Sequence, residues 1–205
     1  MRASIAPLIL LITLATASPA VHSCLFLADP ANSPNSLREG DAAPRFQGHK
    51  HDGTLWKSED FVGKKYVVVF FYPAAFTNGC TRQACLFRDK LSHLQQVGAE
   101  VVGISGDQTD GLRLFQRQHS LNFPLLSDDD GEIARAFGVP VRNGDTITRS
   151  IDGVEHALVR GVTASRWTFV IAPNGRVISK NTAVDPEKDA ANVVEIIRRL
   201  SSSSQ

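Results

Sequence analysis

Cysteine is scarce in this chain: three in 205 residues, at positions 24, 80 and 85. A chain of that length with 42% hydrophobic residues has apolar surface enough for a core of its own and needs no disulfide staple. Three cysteines and scattered histidines also lack the paired ligand spacing that a structural zinc site uses. Blocks of like charge are missing too. The formal net charge is +1, with the signs mixed along the sequence, which leaves no electrostatic footprint for a nucleic-acid partner. There is no internal repeat, and the length is that of one domain with an extension.

A long apolar run is lacking as well. The one candidate, Ile5 to Leu14 within MRASIAPLILLITLATASPA, is about half of the roughly 20 residues that a membrane-spanning helix requires. It follows a single arginine and precedes small residues at Ala15, Ala17 and Ala20, the layout of an export signal. Residues 1–20 are expected to be a signal peptide, cleaved between Ala17 and Ser23, and 21–36, with the proline-punctuated ADPANSPNS, a linker. The alternatives are a retained anchor, or lipidation of Cys24 after cleavage, for which His22 is a poor fit. The expectation is a periplasmic or otherwise extracytoplasmic protein with no stable membrane insertion after cleavage. Loss of Arg2 brings its formal charge to zero. Outside the cytosol, a cysteine pair is open to reading as a structural disulfide.

From Gly40 onward, strand and helix signals alternate. KYVVVFFYP is a β-branched and aromatic run of the kind found in buried central strands, stopped by Pro73. A helical stretch follows, with Leu86, Leu91, Leu94 and Val97 roughly on one face. Gly98 then precedes a second strand in EVVGIS, completing a βαβ unit. A helix about Gly111 to His119, a strand at LLS and a short helix about Glu132 to Phe137 continue the pattern. RWTFVIAPNGRVISK reads as two strands joined at Asn174-Gly175. Asp185-Pro186 opens a last helix with Val193, Ile197 and Leu200 on one side. The fold class is α/β, over residues 37–200, with 201–205 as a flexible tail.

Two of the cysteines stand five positions apart in FYPAAFTNGCTRQACLFRD, directly after the central strand. Cys80 falls at the start of a helix, where unpaired N–H groups and the positive end of the helix dipole stabilise a thiolate, the nucleophilic form. Cys85 lies further in, where a neutral thiol sits as a small hydrophobe. In an intact helix, residues i and i+5 have Cα atoms roughly 8.6 Å apart, whereas a disulfide needs less than about 7 Å. A bridge between them requires the first turns to unwind, so dithiol and disulfide forms differ in local structure, as in a redox cycle. Two buried packing cysteines, or a static bridge in an irregular loop, satisfy the spacing equally well.

A cysteine at the start of the helix after a central strand is the thioredoxin-type layout. The segment resembles, more specifically, the active site of peroxiredoxins of the bacterioferritin-comigratory-protein, or Q, subgroup of the alkyl hydroperoxide reductase and thiol-specific antioxidant family. That signature of Pro, three residues, Thr, two residues and Cys is met by Pro73, Thr77 and Cys80, and the offset to a second cysteine in the same helix by Cys85. GDAAPRF, DFVGKKYVVVFFYP, FPLLSDDDG and SRWTFVIAPNG resemble family segments in the same order, so the likeness covers about residues 37–200. Asn78 stands where many relatives have a second proline, and Val141 to Ser165 is longer and more polar than the family pattern.

The resemblance implies a thioredoxin-like fold, a central mixed β-sheet flanked by helices, and a thiol-dependent peroxidase. Cys80 would attack one oxygen of hydrogen peroxide or an organic hydroperoxide and become a sulfenic acid. Cys85 would close a Cys80–Cys85 disulfide, and a thioredoxin-like donor would reset it. Pro73 would shield the thiolate from water, and Thr77 would hydrogen-bond thiolate and peroxide. Arg166, at the start of RWTFVI, would stabilise the thiolate and the charge on the leaving oxygen, a task suited to a planar, always-protonated guanidinium. Taken alone, Pro73 is a strand terminator, Thr77 an N-cap and Arg166 a solvated flank. Arg82 and Arg88 are expected to point to solvent or to carboxylates such as Asp89, and HKHDG at His49 to Gly53 to be a polar surface turn rather than a metal site. No metal, haem or flavin is implied, and a monomer is expected. The competing readings are an exported thiol-disulfide oxidoreductase or copper-delivery protein of thioredoxin fold, which normally space their cysteines more closely, and a redox-dead binding domain.

Overall fold

The computed structural model describes residues 37–202. In chain order they form β1 (Gln47–Lys50), β2 (Leu55–Lys57), β3 (Tyr66–Phe71), α1 (Asn78–Gln96), β4 (Ala99–Ser105), α2 (Thr109–Gln118), β5 (Leu125–Ser127), α3 (Glu132–Ala136), β6 (Val141–Ile151), β7 (Val154–Ala164), β8 (Trp167–Ile171), β9 (Val177–Asn181) and α4 (Asp189–Ser202). The expected signal peptide, the linker and Cys24 lie outside the described residues, as do the last three positions of the expected tail. Ser201 and Ser202, expected in that tail, are the last residues of α4.

Seven strands form one mixed sheet in the order β2-β1-β5-β4-β3-β8-β9. β3 runs parallel to β4, with Phe71 opposite Ile104, and antiparallel to β8, with Phe71 opposite Trp167. Its sequence accounts for its place: Val67 to Phe71 are wholly buried, and side chains alternate between the faces. Val68, Phe70 and Tyr72 join the core under α1, α2 and α4, and Val67, Val69 and Phe71 the core under α3. β-branched and aromatic residues suit a strand covered on both faces. Phe70 stacks on Phe87 of α1 with ring centroids 4.5 Å apart. Gly103, beside it on β4, leaves the space, since a Cβ there would lie 2.7 Å from Phe70 Cζ.

The buried face of α1 is Cys80, Gln83, Ala84, Phe87, Leu91 and Leu94, a stripe at helical spacing that begins with the cysteine itself. Leu86 and Val97, expected on that face, pack only at its margin. At the C-terminus, Asp185 Oδ1 accepts the Glu187 N–H and its carbonyl the Asp189 N–H, a turn that leads into α4. Val193 and Ile197 are buried as expected, but Leu200 is 38% exposed, because the last turn of α4 runs past the core. The HKHDG segment is less of a loop than expected: His49 and Lys50 belong to β1, and Asp52 ties the turn by accepting both the N–H and the hydroxyl of Thr54.

The long polar stretch after α3 is a β-hairpin. β6 and β7 pair antiparallel, from Val141 opposite Ala164 to Ile151 opposite Val154. The two-residue turn Asp152-Gly153 has φ of 53° and 79°, the left-handed pair of a type I′ turn. The hairpin docks on the loop after β4: Gly161 N–H donates to the Gly106 carbonyl at 3.0 Å, and Gln108 N–H to the Val159 carbonyl at 3.0 Å. A Cβ at Gly106 would lie 2.0 Å from the Val162 carbonyl oxygen, so a side chain there would push the hairpin off.

Candidate active site

β3 delivers the chain to a short loop, Tyr72 to Thr77, and Thr77 is the N-cap of α1 in extended conformation. Cys80 is therefore the third residue of the helix, among the first positions whose N–H groups have no intrahelical acceptor. The Thr77 side chain does not cap the helix: its Oγ1 donates to the Ala74 carbonyl at 2.9 Å. With its single proton committed there, the hydroxyl offers the site lone pairs only.

The loop is held from two directions. The Ala75 N–H donates to Asp107 Oδ2 at 2.8 Å, and the Ser105 hydroxyl donates to the same oxygen at 2.8 Å. Arg160, reaching in from β7, brings Nη1 to 3.8 Å from Asp107 Oδ1 and donates through Nε to Thr163 Oγ1 at 2.9 Å. Burial pushes the Asp107 carboxyl above its usual range, against the pull of the Ala75 N–H, the Ser105 hydroxyl and Arg160. The next residue, Phe76, has φ 61°, a costly conformation for a bulky side chain that persists only where surroundings enforce it. Its ring packs on Phe115 and His119, with centroids 5.2 and 6.0 Å away.

On the other side of the thiol, Arg166 sits just ahead of β8. Its Nη2 is 3.2 Å from Cys80 Sγ, and its Nη1 donates to Gln83 Oε1 at 2.6 Å. Gln83, wholly buried on α1, donates through Nε2 to Asp189 Oδ2 at 2.7 Å, and Thr168 donates its hydroxyl to that same oxygen at 2.7 Å. One connected line thus runs from Cys80 through Arg166, Gln83 and Asp189 to Thr168. Gly79 admits the guanidinium, since a Cβ there would lie 3.3 Å from Nη2. Burial pushes the Asp189 carboxyl above the usual range, with Thr168, Gln83 and Arg166 opposing it.

Both cysteines of α1 are free thiols. Cys80 is 1% exposed, while Cys85 is half-buried and opens on a cleft that Cys80 does not line, as positions about 140° apart on one helix require. Pro73 is half-buried in a hollow at the base of the hairpin, lined also by Pro140 and Ser165. Arg82 approaches Glu187 at 3.8 Å, and Arg88 pairs with Asp89 at 2.9 Å while donating to the His119 carbonyl at 2.6 Å. The structure therefore joins Cys80 to Arg166 directly and brings Thr77 to the helix start. It adds four residues that sequence reasoning missed: Gln83, Asp189, Asp107 and Arg160. For the first two a signal existed, since Gln83 is a polar residue on the buried stripe of α1 and Asp189 a carboxylate one turn before buried Val193.

A mixed thioredoxin-type sheet presenting a helix-start cysteine under a guanidinium defines a thiol-active protein of that fold. The sequence profile of the AhpC/TSA family matches residues 39–180. Chloroplastic peroxiredoxin Q of Oryza sativa subsp. japonica is 36% identical over 165 residues, 80% of this chain and 68% of that one. Peroxiredoxin Bcp of Escherichia coli K12 is 45% identical over 105 residues, 51% of this chain and 67% of the relative. Among solved structures, peroxidoxin BcpB from Mycobacterium tuberculosis superposes with a TM-score of 0.67 at 30% identity, covering 80% of this chain and 97% of that one. The chain belongs to the AhpC/TSA family. It is a peroxiredoxin, a thiol-dependent peroxidase, and the family implies a peroxide substrate and a thioredoxin-like reductant.

Proposed function

We propose that the chain reduces hydrogen peroxide and organic hydroperoxides through a Cys80 sulfenic acid and then a Cys80–Cys85 disulfide, and that a thioredoxin-like donor resets it. The observation that carries this reading is the 3.2 Å contact between Arg166 Nη2 and Cys80 Sγ, a permanent cation set against a thiol at a helix start. The Cys80 thiolate attacks one peroxide oxygen. An S–O bond forms, the O–O bond breaks, and the departing oxygen takes a proton and leaves as water or alcohol. Arg166 stabilises the charge that develops on that oxygen. Thr77, its own proton held by Ala74, accepts from the peroxide O–H and keeps the O–O bond in line, and Pro73 shields the loop from water. Cys85, as thiolate, then attacks the Cys80 sulfur; the S–S bond forms, the S–O bond breaks, and the departing hydroxyl takes up the proton Cys85 gave up and leaves as water. The continuous helix keeps their Cα atoms roughly 8.6 Å apart, so the first turns of α1 unwind for this step. A dithiol donor removes the disulfide by exchange.

Mass spectrometry after one equivalent of peroxide tests the cycle. The wild type loses two hydrogens in a peptide pair containing Cys80 and Cys85. Cys80→Ser consumes no peroxide, and Cys85→Ser stops at a sulfenic acid and does not turn over with thioredoxin. Equal loss of the first turnover in both variants would sink the assignment of roles. The reading of residues 1–20 as an export signal supports an extracytoplasmic location. The mass of the mature protein tests it: an N-terminus between Ala17 and Ser23 is expected, a lipid on Cys24 points to the anchored alternative, and retention of residues 1–20 overturns cleavage.

A further inference from the structure

Cys85 opens into a cleft of about 670 Å³ bounded by the start of α1, the end of α2 and the tip of the β6–β7 hairpin. Two guanidiniums line it. Arg82 has only the 3.8 Å approach of Glu187, and Arg149, on β6, has no ion pair among the described residues. The carboxylate of the lining, Asp152, is turned to Arg117 at 3.6 Å. His119 and Ile151 also line it beside Phe76.

We propose that this cleft binds a small carboxylate-bearing thiol that serves as a second electron donor to the Cys80–Cys85 disulfide; the inference rests on the cycle proposed above. Its volume is in the range of small-molecule sites, roughly 300–1,000 Å³. The half-buried Cys85 sulfur lines an open cleft beside the hairpin tip, which a small molecule can enter. The two guanidiniums favour carboxylates, which they bind through paired, charge-assisted hydrogen bonds. The cleft lies on the side of Cys85 and not of Cys80, so its occupant meets the resolving sulfur rather than the peroxide. Arg82 and Cys85 itself belong to the turns that unwind in the disulfide form, so the part of the cleft that persists there is the side formed by the end of α2 and the hairpin tip. Arg149 lies outside those turns, on the hairpin that docks on the loop after β4 through Gly161 and Gly106, and is the cation left to hold the anion in that form.

The chemistry balances. The thiolate of the bound molecule attacks Cys85 Sγ, a mixed disulfide forms, and the Cys80–Cys85 bond breaks with Cys80 leaving as thiolate toward Arg166. A second thiol molecule, as thiolate, attacks the small molecule's own sulfur in the mixed disulfide, and Cys85 leaves and takes up a proton. Two thiols supply the two electrons that reduce one protein disulfide, and the product is the small molecule's disulfide.

The test is peroxide-coupled turnover of the full mature chain with glutathione and with its diethyl ester, compared at equal thiolate concentration. The free acid should show a KM at least about tenfold lower than the ester, the scale of a charge-assisted hydrogen bond. Arg149→Glu should abolish that preference and Arg149→Lys should retain most of it, each read as the acid-to-ester ratio within one variant so that a general loss of activity cancels. Equal KM for acid and ester in the wild type, or an unchanged ratio in Arg149→Glu, overturns the proposal. Mass spectrometry without added thiol separates the two levels. If peroxide yields no Cys80–Cys85 disulfide, the cycle fails and this inference with it; if the disulfide forms and the acid has no advantage, only the cleft's role is lost.

Discussion

Gln83 on α1 and Asp189 on α4, 106 residues apart in the chain, are joined by a 2.7 Å hydrogen bond in which the amide donates and the carboxylate accepts. The other end of the same amide accepts from Arg166 at 2.6 Å, so Gln83 has one orientation, carbonyl toward the guanidinium and amine toward the carboxylate. The aim of Arg166 at Cys80 is therefore set by two helices as well as by its own place before β8.

Arg166→Met should slow the peroxide step by about 10²-fold or more, the scale of losing one preorganised transition-state donor. Stopped-flow kinetics under single-turnover conditions measures it, and unchanged rates would remove Arg166 from the site. Gln83→Leu leaves both Arg166 and buried Asp189 a partner short. It should cost about 1–3 kcal/mol of stability, together with a smaller fall in rate than Arg166→Met.

Asp189 couples the same line to pH. Its carboxyl is raised by burial above the ordinary value of 3.8, so the folded chain holds that proton more tightly than the unfolded one. The resulting stability is fully present below the unfolded value and is lost as pH rises through the folded one. Asp189→Asn keeps an acceptor and removes the titration. In urea titrations, the stability of wild type relative to this variant should decline from about pH 4 upward. A difference that stays constant from acid to neutral pH would show that Asp189 does not titrate with folding.

Asp107 holds the loop through the Ala75 N–H, and Arg160 supports Asp107. Asp107→Ala should cost about 3–5 kcal/mol, as expected for removing one side of a buried pair, and should slow the first peroxide turnover by freeing the strained Phe76 turn. Arg160→Met keeps both hydrogen bonds to Asp107 and should lose less on both counts. The reverse order would mean that the hairpin, and not the carboxylate, holds the loop.

Because α1 is continuous from Asn78 to Gln96, amide exchange across Thr81 to Leu86, the first positions with intrahelical acceptors, should be slow in the dithiol form and much faster in the disulfide form, with β3 protected in both. Hydrogen-exchange mass spectrometry of the two redox forms decides this. Identical exchange alongside a confirmed disulfide would show that bridging leaves the helix wound.

Near-neighbour pattern was enough for much of this protein. The β-branched run of β3, the helical spacing after it, the Asn174-Gly175 turn, and the Pro73, Thr77, Cys80 and Cys85 offsets are all local, and each was legible because strand burial, helix periodicity and cysteine spacing are written within a few residues. The hairpin was not, although Asp152-Gly153 is a strong turn signal: most of the β6 and β7 side chains are exposed or only part-buried, so no apolar alternation marks them as strands. Arg166 was reachable only through likeness to a family, since an arginine before a strand looks like any solvated flank. What tertiary structure alone decided is which distant polar groups meet: Arg166 with Gln83, Gln83 with Asp189, Arg160 with Asp107, and Arg149 with the cleft beside Cys85. Hydrogen bonds and charge pairs between such residues leave no periodic trace in the chain, because their geometry arises only when the packed core brings α1, α4, β7 and β8 together, and burial then sets their strength.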